Sequence, residues 1–261
     1  MPLTMAHPLA VYPFRRTGLM VSGMAVGSMV PDLAHFAEVP GGYGFAHSIP
    51  GLLTLDLAAG LLLLAAWQWI LAPAYDEIMP ARWRRWPRPR PRWRGWLPLA
   101  SASVLLGGLT HLGWDLLAHW DSPVVAAVPA LRATVGPFRV FALIQYGSSA
   151  LGLAVLALLG WRRWTTTPAR PAPENTRWAW SRDVDRAVLT WAPLCAAAAA
   201  MSGKLVMYAL LGWITKRTLA YAFFVETSRA ALCAAALAAG VRMLVLWGRK
   251  GRREPRGTTE G

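Results

Sequence analysis

The sequence predicts an all-α protein: a polytopic transmembrane helix bundle of about five spans, preceded by a short N-terminal helix that is re-entrant or interfacial. Three observations predict it. The 261 residues are 55% hydrophobic and 15% charged, with a mean hydropathy of +0.34, whereas soluble domains carry roughly a quarter charged residues. The apolar residues gather into segments of about 20, the helical length that crosses a hydrocarbon core of about 30 Å. The positive charge, a formal net +14, lies in arginine clusters between those segments, which is a pattern of membrane orientation and argues against a nucleic-acid partner.

Taken in order, residues 1–16 (MPLTMAHPLAVYPFRR) lack the succession of basic, apolar and small residues that marks a signal peptide, so the mature chain is expected to keep them. Residues 17–30 are apolar, but as a helix they reach only about 21 Å. They read as a re-entrant, interfacial or buried helix at least as readily as a span. The expected spans are residues 49–72, 97–118, 138–160, 187–214 and 219–247. Between the first two lie Arg82, Arg84, Arg85, Arg88, Arg90, Arg92 and Arg94; residues 161–186 hold a second arginine cluster and the tail GRKGRREPRG a third. Residues 33–48 have no Lys or Arg, residues 119–137 only Arg132, and the turn before the last segment has Lys216 and Arg217. The excess of Lys and Arg on cytoplasmic loops then sets a multi-pass topology in the plasma membrane, with residues 33–48 outside and the C-terminus cytoplasmic.

Trp83, Trp86, Trp93 and Trp96, with Trp161, Trp164, Trp178 and Trp180, read as an aromatic belt at the head groups, and PRPRPRWR as a stiff basic strap near anionic lipid. The organisation expected is an N-terminal membrane region (1–160) carrying a His/Asp metal site, a basic cytoplasmic loop (161–186), a C-terminal transmembrane hairpin (187–247) and a basic tail (248–261). Cys195 and Cys233 both fall in apolar segments, where a thiol behaves as a small hydrophobe, so neither a disulfide nor a cysteine metal site is expected.

Ionisable groups at membrane depth mark function or a paired cluster, because desolvation costs several kcal/mol unless a partner is found. Asp56, His111, Asp115, Lys204, Glu226, Arg229 and Arg242 are such groups. Folding the last two segments as a hairpin brings Lys204 and Glu226 to one depth, as a structural ion cluster or a transport pathway. The N-terminal half differs in kind. All five histidines (His7, His35, His47, His111 and His119) precede residue 120. His111 and Asp115 form an HxxxD pair on one helix face, about 6 Å apart along the axis, a spacing that suits one metal ion. His119 continues that face, VPDLAH places Asp32 three residues from His35, and AHSIPG puts His47 just ahead of the next span. Nitrogen and carboxylate ligands gathered at the outer end of the bundle suit zinc or another divalent ion; the plain alternative is a set of interhelical hydrogen bonds.

The blocks TMAHPLAVYP, GSMVPDLAHF, GFAHSIPGLL and THLGWDLLAHWDSP resemble, in this order, those of a bacterial integral membrane family catalogued as domain of unknown function 4184. More remotely, the order His, PD, HS, HxxxD is similar to membrane-bound metal-dependent hydrolases and to the zinc phospholipase C and P1 nuclease fold. That resemblance implies His7, Asp32, His47, His111 and Asp115 as ligands of one or two ions, zinc or manganese, with Asp115 bridging and catalytic. It leaves His35, His119 and Asp121 as substitutes for the later ligands that this chain lacks. His7 joins such a site only if residues 17–30 fold back at the outer face. The function expected is a metal-dependent hydrolase of phosphate esters, with membrane lipid as its surroundings and a lipid phosphoester as its substrate. The alternatives are a non-enzymatic structural or interaction protein with polar interhelical contacts, and a small transporter.

Overall fold

A computed structural model describes residues 4–35, 39–72, 84–85, 94–170 and 179–215, with scattered positions between 230 and 240. The chain divides into two units, Met1–Ala66 with Arg90–Pro168, and Trp67–Pro89 with Ala169–Gly261.

The first unit opens with a 3-10 segment, Thr4–Arg16, whose prolines Pro8 and Pro13 withhold the backbone donors that an α-helix needs. It is followed by α1 (Val21–Gly27) and a second 3-10 segment, Val30–His35. A short helix α2 (Gly42–Ala46) leads into α3, Ile49–Leu71. Ser48 caps α3 by accepting from the Gly51 N–H at 3.1 Å, and Pro50, which has no N–H to leave orphaned, occupies its first turn. The path of α3 widens into π-turns at Leu52–Asp56 and Trp67–Leu71. Helix α4 (Trp96–Ala118) is followed by the short helices α5 (Pro123–Ala127) and α6 (Pro129–Arg132). A two-residue hairpin, β1 (Thr134–Val135) with β2 (Phe138–Arg139), then delivers α7, Val140–Thr166. The all-α expectation thus meets one small β-turn where the fourth described loop reverses.

α1 packs on α4, and the 3-10 segment Thr4–Arg16 packs on α1, α4 and α7. The core they share holds Val11, Met24, Val30, Leu52, Leu64, Ala100 and Val104. Glycine permits the closest approach: a Cβ at Gly27 would run into the Val104 carbonyl, and one at Gly107 into the Met24 carbonyl. In the second unit, α8 (Ala179–Leu210) ends at Gly212, whose φ of 66° lets the chain turn back so that the Trp213 N–H donates to the Tyr208 carbonyl at 2.8 Å. Cys195 and Cys233 are free and exposed.

Among the described residues, two helices combine the length and hydropathy needed to cross a membrane, α3 and α7, where five spans were expected. The reasons lie in the sequence. α4 is long enough at 23 residues, but Gly107, Gly108, Thr110, His111 and Asp115 dilute its hydropathy. Within α8, the described residues supply a shorter apolar stretch, Leu194–Leu210. Most of the segment 219–247, including Glu226, Arg229 and Arg242, lies outside the described residues, as do most of the arginine-rich stretches. Residues 17–30 do not make a span: their helix is the seven-residue α1, with Gly23, Met24 and Gly27 buried. The outward faces of α3 and α7 expose Leu53, Leu62, Leu63, Leu143, Leu151 and Leu158. Apolar length with the apolar face turned outward is what lipid requires, and a soluble core helix would bury those residues.

Candidate metal centre

Apart from Asp121, the expected histidines and aspartates come from four stretches of the chain and converge at one end of the first unit. His111 and Asp115 lie one turn apart on the buried face of α4, the former fully buried. His47 sits between α2 and the Ser48 cap of α3, so the cap that starts the helix also fixes the histidine beside it. Asp32 comes from the 3-10 turn after α1 and is 1% exposed. His7 comes from the first 3-10 segment, its ring stacked on that of His111 with centroids 4.0 Å apart. Because α1 is short and turns back into the fold, His7 and Asp32 reach the same place.

The nitrogens of the two central histidines are differentiated by their backbone partners. His111 Nδ1 lies 2.8 Å from the Ser28 carbonyl and His47 Nδ1 3.1 Å from the Tyr43 carbonyl. A carbonyl only accepts, so each Nδ1 donates to it, and in the neutral form each ring turns the lone pair of Nε2 inward. Those two Nε2 atoms face each other at 3.3 Å. The carboxylates close around them: His47 Nε2 is 3.5 Å from Asp32 Oδ1 and 3.5 Å from Asp115 Oδ2, and His111 Nε2 is 3.7 and 3.2 Å from the same two atoms. All but the 3.2 Å between His111 and Asp115 exceed the separations of good hydrogen bonds, about 2.7–3.2 Å. They bracket the donor-to-donor edge of about 3.3–3.6 Å that surrounds a tetrahedral ion with bonds of about 2.0–2.2 Å.

Orphaned polar atoms give the same test a second form. His7 Nε2, Asp32 Oδ1 and both carboxylate oxygens of Asp115 are buried without a hydrogen-bond partner, a costly state for an apolar interior and a fitting one for ligands of a cation. Two triads have donor atoms mutually within 4.8 Å, His7/His111/Asp115 and Asp32/His47/His111. The donor set of imidazole and carboxylate suits zinc or manganese.

Outside these five, His35 Nε2 lies 3.7 Å from Asp32 Oδ1, and His119 Nε2 3.5 Å from Asp115 Oδ1. Asp121 is exposed and belongs to neither triad, since α4 ends at Ala118 and the chain turns away after His119. Burial, with repulsion from His111, lowers His7 from 6.5 to about 4, so its ring is neutral at ordinary pH. Burial also pushes His35 down, against the charge of Asp32. For Asp32, burial alone acts upward, but His47, His111 and the Thr4 hydroxyl outweigh it and hold the carboxyl below the usual carboxylate range.

Three participants had no sequence signal. Thr4 Oγ1 donates to Asp32 Oδ2 at 2.6 Å, which turns Oδ1 toward the histidines. Tyr43 stacks on His47 with centroids 3.8 Å apart and leaves its hydroxyl buried without a partner; burial and the nearby aspartates raise its ionisation above the ordinary range, so it remains a proton donor. Gln145 of α7 reaches His119 at 3.4 Å. Asp56, at the end of the first π-turn of α3, is 2% exposed and within electrostatic reach of His47 and His111.

A family model described as Domain of unknown function (DUF4184) matches residues 1–247. The chain is also similar to a protein of Aspergillus oryzae named MFS-type transporter hepF, 29% identical over 141 residues, which are 48% of this chain and 29% of that protein. The chain thus spans under a third of that relative's length. No solved structure matches. With the two apolar helices, the likeness to a transporter points to a membrane protein.

Proposed function

From the premise that the chain belongs to the family described as Domain of unknown function (DUF4184), we propose a multi-pass membrane protein whose His/Asp cluster is a divalent-metal centre for hydrolysing phosphate esters at the outer membrane surface. The observation that carries this is the pair of inward Nε2 lone pairs at 3.3 Å, flanked by unpartnered carboxylate oxygens at 3.2–3.7 Å. Without a cation, that arrangement sets lone pair against lone pair. Asp32, His47, His111 and Asp115 would hold the ion, and His7 belongs to a second triad with His111 and Asp115. His111 Nε2 has one lone pair and could serve one ion at a time, so a second ion would rest on His7 and Asp115.

A bound divalent ion supplies positive charge to a phosphoryl oxygen and brings the ionisation of water toward neutral pH. The chain's residues do the rest. Asp115 has the catalytic role because its oxygens divide the work: Oδ2 faces His111 and His47, and Oδ1 faces His119 Nε2, which accepts or returns a proton there. Tyr43, kept protonated, offers its hydroxyl to a substrate oxygen. On this reading α4 and the segments 187–214 and 219–247 join α3 and α7 as spans, and the C-terminus is cytoplasmic.

The test is metal analysis of detergent-purified protein. Retention of one or two equivalents of zinc or manganese, lost with His111→Ala and weakened with the near-isosteric Asp115→Asn, is the expected result, together with metal-dependent cleavage of bis-p-nitrophenyl phosphate. Protein that retains no metal at full occupancy conditions returns the cluster to interhelical hydrogen bonding. A second reading, a small transporter, is favoured by the likeness to the Aspergillus oryzae protein and by buried Asp56 in α3. Metal-dependent solute flux in proteoliposomes without ester cleavage would select it.

A further inference from the structure

A cleft of about 170 Å³ opens beside the cluster, between the 3-10 segment Thr4–Arg16 and α7. Leu9, Ala10, Leu151 and Gly152 give it apolar walls, Trp114 bounds it on α4, and His7 closes its inner end. The Trp114 indole N–H is already spent on Ser148 Oγ at 3.2 Å, so the wall it offers is the ring face. The outer lip is Leu151, 64% exposed on α7, a helix long and apolar enough to cross a membrane. With α7 across a bilayer, what lies against that lip is lipid.

We propose that this cleft takes the acyl chain of a membrane lipid whose phosphate head lies at the His/Asp cluster, so that the substrate arrives sideways from the bilayer. The phosphate end of this inference rests on the metal-centre reading; the acyl-chain end rests on the cleft itself. Depth supports it. Arg139 at the head of α7 and Arg162 near its end bracket about 35 Å of helix, close to one hydrocarbon thickness. Ser148 to Gly152 then lie about 13 to 20 Å below Arg139, the depth of acyl chains and not of head groups. Gln145, which meets His119, lies about 9 Å below it, nearer the interface. Head toward Asp115 and His119, chain toward Gly152, is the order in which a lipid anchored at the outer surface presents its parts. The pairing of His7 with both cleft and cluster makes the two features one continuous path.

The experiment uses phosphatidic acid carrying a diazirine in its acyl chain, mixed into phosphatidylcholine nanodiscs that hold the full-length, metal-analysed protein. Adducts mapped after irradiation should concentrate at residues 6–10 and 148–152, over the equally lipid-facing Leu62 of α3, and should fall when unlabelled phosphatidic acid is added in excess. Ala10→Trp, which fills the cleft, should abolish them while bound metal is retained; Leu151→Trp, which blocks only the exposed lip, serves if the first variant fails to fold. Adducts spread evenly over α3 and α7, or unchanged by either variant, would overturn the cleft as a chain site. Metal retained without cleft adducts sinks this inference alone, whereas cleft adducts on protein that binds no metal support the chain site and sink the hydrolase reading.

Discussion

Each central histidine gives one nitrogen to the backbone and the other to the site. Ser28 and Tyr43 carbonyls take the Nδ1 protons of His111 and His47, and Thr4 turns Asp32 in the same way; such supports fix tautomer and ring angle before any ligand binds. His7 is the member whose burial leaves it unsupported, and acid is the agent that exposes this. In metal-free protein the folded His7 stays neutral down to about pH 4, while in the unfolded chain it takes up a proton near 6.5. Between those values the unfolded state binds more protons, so stability is full above pH 6.5 and drains as pH falls toward 4. Asp32, held below the usual carboxylate range, adds stability that is lost only below that window. Thermal unfolding of chelator-treated protein should therefore lose Tm between pH 6.5 and 4, and His7→Leu should flatten that limb; an unchanged limb would mean that His7 is solvated in the native state. The residues of the cluster were legible: HxxxD names His111 and Asp115 by helical spacing, and the PD and HS blocks name Asp32 and His47. Thr4, Tyr43 and Gln145 were not, because their roles depend on which surfaces meet and not on any local spacing.

Small residues decide where the helices can meet. α1 lies so close on α4 that glycine is required on both sides, Gly27 against the Val104 backbone and Gly107 against that of Met24. The consequence reaches the site, since Ser28, the residue after Gly27, carries the carbonyl that orients His111. Gly27→Val or Gly107→Val should push the two helices apart, costing about 1–3 kcal/mol as overpacking usually does, and should weaken metal retention even though neither residue is a ligand. Gly113→Val, on the exposed side of α4 with open space around its Cβ position, is the control expected to keep metal. Equal metal content in all three would separate the α1–α4 contact from the site. Hydropathy reads residues 17–30 as one apolar run and cannot show that the helix stops at Gly27. The stop comes from the chain reversal at Val30–His35, whose buried Pro31 and Asp32 belong to a site built from distant segments. For the same reason the π-turn that carries Asp56 into the interior has no trace in the apolar pattern around it.

Three helices of the first unit alternate in direction, and their contacts put one end of each together. The start of α3 (His47) meets the end of α4 (Asp115), and the start of α7 (Gln145) meets His119 just beyond it. The cluster therefore occupies one end of the unit, and the arginine-bearing connections that follow α3 and α7 leave from the ends opposite to it. If α3 and α7 cross a bilayer, the positive-inside bias sends those connections to the cytoplasm and the cluster to the outer face. Span number was the part of the fold least open to composition, because α4 has the length of a span and spends its apolar residues on glycine, histidine and aspartate for the site. Orientation can be read directly. In a background with Cys195→Ala and Cys233→Ala, which removes both native thiols, a cysteine at Gly42 should react with a membrane-impermeant maleimide in intact cells, and a cysteine at Arg90 should react only after permeabilisation. Cysteines at Arg132 and at Arg249 extend the comparison: the five-span arrangement places the first outside and the second inside. Labelling of Arg90 but not Gly42 in intact cells would invert the molecule and put the cluster in the cytoplasm. Labelling of Gly42 and Arg249 together would leave an even number of crossings between them, and one of the segments α4, 187–214 or 219–247 would then lie along the membrane instead of through it.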